Sequence, residues 1–271
     1  MFLCVLLSLE NQEDTLKEHK LGAQFCFKET SLNEVEKTLD AINVKSSPGI
    51  SEIPIKVIKA CKSLIVPLIV KFFNDCIAQG DYIEEWKCAI VTPLYKKGDM
   101  DSLNNYRGIS VLAPFNKIFE RILAKQIKDF FLSNKLFNKN QHGFRISHSC
   151  ETALHEILNF CEKNLDLKKI IALLFLDFKK AFDMLKRCLF IYKLLNYGFV
   201  LSDKCELDIG VPQGSILGPL FFIIFINDLP DYLVEILSKL FADDTALMFR
   251  SYSFDSLNDT LKKVIELLNE W

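Results

Sequence analysis

Apolar positions recur along this chain with two different periods, and the changes of period mark out its elements. Ser31-Leu32-Asn33-Glu34 has the form of a capping box, and Val35, Leu39 and Ile42 follow it at helical spacing. The helix they predict stops before Lys45-Ser46-Ser47-Pro48-Gly49, a turn sequence. A long apolar helix is predicted over 55–78, with a break at Pro67, and Gln79-Gly80-Asp81 ends it. Residues 88–95 then read as a strand, Lys96-Lys97-Gly98-Asp99 as the turn after it, and 109–112 as the returning strand. From Pro114 a helix carries Ile118, Ile122, Leu123 and Ile127 on one side.

Gln141-His142-Gly143-Phe144-Arg145 is a polar loop, and Ser149 stands where it can cap a helix running to about Phe160. Ile170 to Leu176 is apolar at every position, the mark of a buried strand, and it delivers Asp177 at its carboxyl end. Lys179 onward reads as a helix. A loop over 210–214 leads into 215–229, a helix apolar on nearly every side and therefore buried. The chain closes on a helix carrying Leu257, Leu261, Ile265 and Leu268.

Between these helices, Lys239-Leu240-Phe241-Ala242-Asp243-Asp244-Thr245-Ala246-Leu247-Met248-Phe249 sets two carboxylates between two short apolar runs. Aspartate is poor strand material, so the pair marks the turn of a hairpin. Alternation along a strand makes at least one carboxylate project from the apolar surface, where it needs a partner, and a divalent cation is a good one. A plain polar hairpin tip is the alternative.

Composition changes this picture only in part. Half of the 271 residues are hydrophobic and 23 are Phe, which describes a packed globular chain with material for one large domain or two small ones. The net charge of -2 gives no pointer to nucleic acid. Its distribution does: residues 86–145 hold 11 Lys and Arg against 4 Asp and Glu, a basic lobe beside an acidic remainder. Nine scattered cysteines without a C-x-x-C pair read as free thiols in a reducing compartment. His142, His148 and Cys150 match no zinc spacing. The apolar start, Phe2 to Leu9, lacks a basic flank and reads as the tail of something upstream. The longest later apolar run, 216–226, is short of the roughly 20 residues that a membrane span needs. The expectation is an intracellular chain with no membrane partner.

Asp177 and Asp243-Asp244 end apolar strands that can pair within one sheet. Carboxylates brought so close repel, and their titrations couple, unless cations lie between them. Two Mg²⁺ ions shared by carboxylates are a standard device for in-line phosphoryl transfer.

Seven stretches, in order, resemble the reverse transcriptase of non-LTR (LINE-like) retrotransposons. They are Trp86-Lys87 with Pro93-Leu94-Tyr95-Lys96-Lys97-Gly98-Asp99; Asn105-Tyr106-Arg107; Gln141-His142-Gly143-Phe144-Arg145; and Leu176-Asp177-Phe178-Lys179-Lys180-Ala181-Phe182-Asp183. Gly210-Val211-Pro212-Gln213-Gly214-Ser215-Ile216-Leu217-Gly218-Pro219, Ile226-Asn227-Asp228-Leu229 and Phe241-Ala242-Asp243-Asp244 complete the series. The resemblance runs from about Phe25 to the end, with 1–24 as an upstream remnant. It implies an α+β right-hand polymerase, with fingers over about 25–165 and a palm of antiparallel sheet and packed helices over about 166–271.

The implied reaction is RNA-directed DNA synthesis, joining a dNTP to a primer 3′-hydroxyl on an RNA template with two Mg²⁺ ions, or Mn²⁺ in their place. Asp177 and Asp243 look like the metal ligands, with Asp244 as the neighbour that tunes them. The backbone at Phe178 is expected to face the triphosphate. Phe182, five residues after Asp177, resembles the family's aromatic steric gate against a 2′-hydroxyl, with a core phenylalanine as the alternative. Lys96, Lys97 and Arg107 look like finger residues that grip the triphosphate, the arginine through its planar fork. For either lysine alone a solvated turn is the alternative. Gln213 and Gly214 resemble the loop that contacts the nascent base pair. Phe144 and Arg145 fit template contact and structural packing equally. Nucleus and cytoplasm are the compartments that the family implies.

The chain also departs from the pattern. A Tyr-Leu…Arg-x-Gln segment is missing between Gly198 and Ser202, and Gly108 follows Arg107 where a proline is usual. The sequence stops at Trp271, before the lysine-bearing motif, primer-grip hairpin and thumb. The expectation is a truncated copy, thumb absent, that keeps the chemistry-bearing residues but not necessarily the activity. A non-catalytic reverse-transcriptase-like scaffold that binds RNA is the competing reading.

Overall fold

The structure is a computed structural model that describes residues 23–80, 82–178, 182, 185–200, 214–234 and 236–271. The first elements are α1 (Leu32–Asp40), α2 (Ile55–Ala60), α3 (Lys62–Gln79), β1 (Ile90–Tyr95), β2 (Tyr106–Val111), α4 (Pro114–Ser133) and α5 (Cys150–Asp166). Then come β3 (Ile170–Asp177), α6 (Arg187–Asn196), α7 (Leu217–Phe225), α8 (Leu229–Tyr232), β4 (Leu237–Phe241), β5 (Asp244–Ser251) and α9 (Phe254–Glu270). This is an α+β chain whose sheets are antiparallel. It divides into two compact units, Met1–Asn134 with Phe182–Gly218, and Lys135–Ala181 with Pro219–Trp271.

In the first unit Ser31 caps α1 by accepting from the Glu34 N–H. The other half of the expected capping box does not form, because the Glu34 carboxylate accepts from the Thr30 hydroxyl at 3.0 Å instead. The long apolar helix is interrupted at Cys61 rather than at Pro67. The Cys61 carbonyl accepts from the Leu64 and Ile65 N–H groups and starts a new helix. Pro67 then lies only a turn and a half inside α3, where its missing N–H forfeits a single backbone bond. Gly80, at φ 64°, ends that helix in the left-handed conformation.

The core of this unit is aromatic. Phe73 stacks on Phe119 at 4.6 Å with Tyr82 and Trp86 around them, and Phe25 packs at 4.4 Å on Phe199. β1 and β2 pair from Ile90↔Val111 to Tyr95↔Tyr106, so the returning strand starts at Tyr106 rather than 109 and the connection between the strands is shorter than predicted. The helix predicted from Lys179 is also corrected. Phe182 lies in a turn, 185–186 are not helical, and α6 begins at Arg187.

The second unit is built on a three-stranded sheet in the order β3-β5-β4. β5 is central and buried on both faces from Thr245 to Phe249, which explains its unbroken apolar run. α5 and α9 pack on this sheet. Ser149 and Thr152 form a reciprocal capping box that starts α5, which runs past Phe160 to Asp166. The buried helix predicted over 215–229 divides into α7 and α8 around 226–228. Pro230 is the physical reason, since a continuous helix would set its ring against the Ile226 carbonyl. Asn227, in the break, accepts from the Asn138 N–H and donates to the Leu136 carbonyl. Among the described residues no helix is long and apolar enough to cross a membrane.

Candidate active site

The β4–β5 hairpin turns on two residues. Phe241 pairs with Asp244, leaving Ala242 and Asp243 as the turn, so the two aspartates straddle its end. On the other side of β5, Asp244 stands directly opposite Asp177. Direct partners on antiparallel strands project from the same face, so Asp177 and Asp244 share one face at one end of the sheet. Asp243 adjoins them at the tip. The expectation that burial would force a partner on these groups does not hold: Asp177 and Asp244 are exposed and Asp243 half-buried. They sit at the end of the sheet rather than under its packed faces.

No described residue bonds to, or ion-pairs with, any of the three carboxylates. Carboxylate oxygens are donors of the hard kind that Mg²⁺ takes, and Mg²⁺ needs only one or two carboxylates beside water and substrate phosphates. Among the described residues no group of three or more His, Cys, Asp or Glu side chains is arranged, as it stands, to hold a metal ion. The donor set fits such an ion without forming a closed cage for it.

Ala242 holds φ at 56°, a left-handed conformation uncommon for an alanine. The loop 140–143 is laid against this tip. Leu240 donates its N–H to the Asn140 carbonyl at 2.9 Å and accepts from the His142 N–H at 2.7 Å. The Gln141 side chain is fully buried, and its Oε1 accepts from the N–H of Gly143 at 2.8 Å and of Ala242 at 3.3 Å. Gly143 must be glycine for space: a Cβ there would come within 2.4 Å of the Ala242 nitrogen.

Beneath the loop, the Thr152 hydroxyl shares a hydrogen bond with His142 Nδ1 at 2.8 Å, and His142 Nε2 lies 3.7 Å from the Glu156 carboxylate. Burial lowers the pKa of His142, with Glu156 opposing the shift. Glu156 is held below the usual carboxylate range by its hydrogen bond with Lys239, which also donates to Asn140 Oδ1.

This support was not foreseen, since Gln141 and His142 read as a polar loop and find their partners about a hundred residues away. Arg145 makes packing contacts within its own unit. Its Nη1 donates to the carbonyls of Asn138 and Gln141, and its guanidinium lies 5.4 Å from the Phe137 ring centre. Phe144 beside it is exposed.

Phe178, next to Asp177, is half-buried with its ring 6.3 Å from that of Trp271. The remaining expected residues belong to the first unit. Lys96 and Lys97 follow β1, and Arg107 on β2 pairs with Leu94; all three are exposed, without an ion pair among the described residues. Gly214, at φ 111°, rests on β2 so closely that a Cβ would lie 2.3 Å from the Ser110 carbonyl oxygen. Just beyond it, Glu120 accepts from the Ile216 N–H at 2.6 Å, and burial pushes its carboxyl up to about 7. Phe182 is half-buried. Gln213 lies outside the described residues, as do 201 and 202 at the end of the stretch where a segment was expected to be missing.

Comparison with known proteins agrees with the motif series. The family model described as reverse transcriptase (RNA-dependent DNA polymerase) matches residues 95–271. The chain is 25% identical over 271 residues to the RNA-directed DNA polymerase from mobile element jockey of Drosophila melanogaster, covering 89% of this chain and 30% of that protein. It is likewise 25% identical over 295 residues to the probable RNA-directed DNA polymerase from transposon BS of the same fly, covering 97% of this chain and 32% of the relative. A third relative, the probable RNA-directed DNA polymerase from transposon X-element, matches 98% of this chain and 32% of its own length. The chain thus spans about a third of the length of the curated relatives that it matches.

Proposed function

The chain belongs to the reverse transcriptase family, and on that premise we propose that it carries an RNA-directed DNA polymerase site centred on Asp177, Asp243 and Asp244. The observation that supports this most is the register that sets Asp244 opposite Asp177, with Asp243 in the turn beside them. In this reading the sheet of β3, β5 and β4 belongs to the palm over about 166–271, and the exposed basic β1–β2 hairpin to the fingers over about 25–165. The partners are an RNA template, a primer and dNTPs.

Asp177, Asp243 and Asp244 would hold Mg²⁺, which when bound lowers the pKa of the primer hydroxyl and neutralises charge developing on the phosphate oxygens. Lys96, Lys97 and Arg107 meet the triphosphate as exposed cations, Arg107 with a fork that matches two phosphate oxygens. Phe182 limits the space at the sugar, and Gly214, with Gln213, lets backbone approach the new base pair closely.

The test is primer extension on an RNA template with Mg²⁺, comparing this chain with Asp243→Ala. The expected result is a loss of about a thousandfold or more, the scale of several kcal/mol of charge stabilisation. Equal, background-level incorporation by both proteins would overturn the polymerase reading. RNA binding that persisted in that case, weakening with salt as phosphate contacts require, would favour an RNA-binding scaffold.

A further inference from the structure

The carboxylate hairpin depends on a strained residue. Ala242 sits at φ 56° directly before Asp243, and that conformation sets how the turn presents both aspartates. Left to itself an alanine leaves this region readily, because its Cβ crowds the backbone there. Something must hold it.

The side-chain carbonyl of Gln141 is in place to do so. It accepts from Ala242 at the strained residue and from Gly143 in its own loop, tying the two segments through one oxygen. The amide orientation is determined by these bonds, since turning it over would set an NH₂ group against two N–H donors. The amide nitrogen, in contrast, is buried with no partner among the described residues. A buried unpaired donor is costly, so the side chain is explained by its oxygen alone. The bonds of Leu240 with Asn140 and His142 hold the loop in register along β4. Gly143 lets it approach the tip.

We propose that Gln141 is a positioning residue: its buried carbonyl holds Ala242 in the left-handed conformation and so sets Asp243 and Asp244 at the end of the sheet. The inference rests on reading those carboxylates as the polymerase site. It assigns Gln141 no contact with substrate.

Two measurements on the full chain test it, amide hydrogen exchange at Ala242 and Mn²⁺ affinity by electron paramagnetic resonance. The variants are Gln141→Met, of similar reach but without the acceptor; Gln141→Glu, which keeps acceptor oxygens; and Gln141→Met combined with Ala242→Gly, because glycine adopts positive φ freely. Gln141→Met is expected to speed exchange at Ala242 while leaving exchange in α4 unchanged. It should also weaken Mn²⁺ binding by about 10- to 100-fold, as loss of an outer supporting group does. Gln141→Glu should restore both, and Ala242→Gly should restore the Mn²⁺ affinity.

Unchanged exchange at Ala242 in Gln141→Met overturns the proposal. So does unchanged Mn²⁺ affinity in Gln141→Met when Asp243→Ala abolishes binding. If Asp243→Ala binds Mn²⁺ like the parent, the polymerase-site reading fails instead, and exchange at Ala242 still decides whether Gln141 holds the tip. Should Gln141→Met not fold, Ala242→Gly is compared with the double variant, and equal exchange at residue 242 overturns the proposal.

Discussion

The β4–β5 and β1–β2 hairpins are built on opposite principles. In the β4–β5 hairpin the second strand is buried at five consecutive positions, the turn is two residues long, and a separate loop braces its tip. In the β1–β2 hairpin every residue of the first strand is exposed, Ile90, Val91 and Leu94 included, and its connection carries Lys96 and Lys97. The first is a rigid mount for carboxylates. The second is an open arm whose apolar and cationic groups face outward. Under the proposed polymerase reading, the first would hold the reacting groups and the second would meet the nucleic acid or triphosphate.

The largest effect expected outside the carboxylates tests that contrast in stability. Leu247 is fully buried in the central strand, and Leu247→Ala should cost about 2–5 kcal/mol in chemical denaturation. Leu94→Ala, in the open arm, should stay within about 0.5 kcal/mol. Comparable costs would break the comparison.

Glu120 sharpens it next, because it anchors 216–217 just beyond Gly214, which rests on β2. Burial raises this carboxyl from its ordinary 4.5 to about 7, so between those values the folded protein holds more protons than the unfolded chain. Stability should therefore fall as pH rises from about 4.5 to about 7, by a few kcal/mol at most, and level off above. Glu120→Gln should flatten that slope. An unchanged denaturation profile over this window would show that Glu120 does not carry the shift.

The smallest effect concerns the arm's charge. Arg107→Ala should weaken RNA binding and lower the salt slope of affinity by about 1, the signature of one lost phosphate contact. Melting temperature should not move. A slope identical to that of the parent would remove Arg107 from the interface.

Much of the local structure was legible in the order of residues. Ser31 and Ser149 mark helix starts, Gly80 a helix end, and the two apolar runs around Asp243-Asp244 a hairpin. Errors came where two local signals competed. The break expected at Pro67 falls instead at Cys61, so that Pro67 stands in the second turn of α3 with the loss of one backbone bond. Glu34 had the spacing of a capping box and found a nearer donor in Thr30.

The carboxylates themselves were named by residue type and by position after apolar runs, and that much the chain determines alone, since strand period and turn preference are local properties. That Asp244 rather than Asp243 stands opposite Asp177 was decided by strand register, which is set by how β3, half-exposed rather than buried as its apolar run implied, pairs along the buried central strand β5. That an alanine holds a left-handed turn beside them was decided by Gln141, about a hundred residues earlier in the chain. A hydrogen bond between segments so far apart leaves no periodic trace in either one. Only the tertiary structure brings its donor and acceptor together.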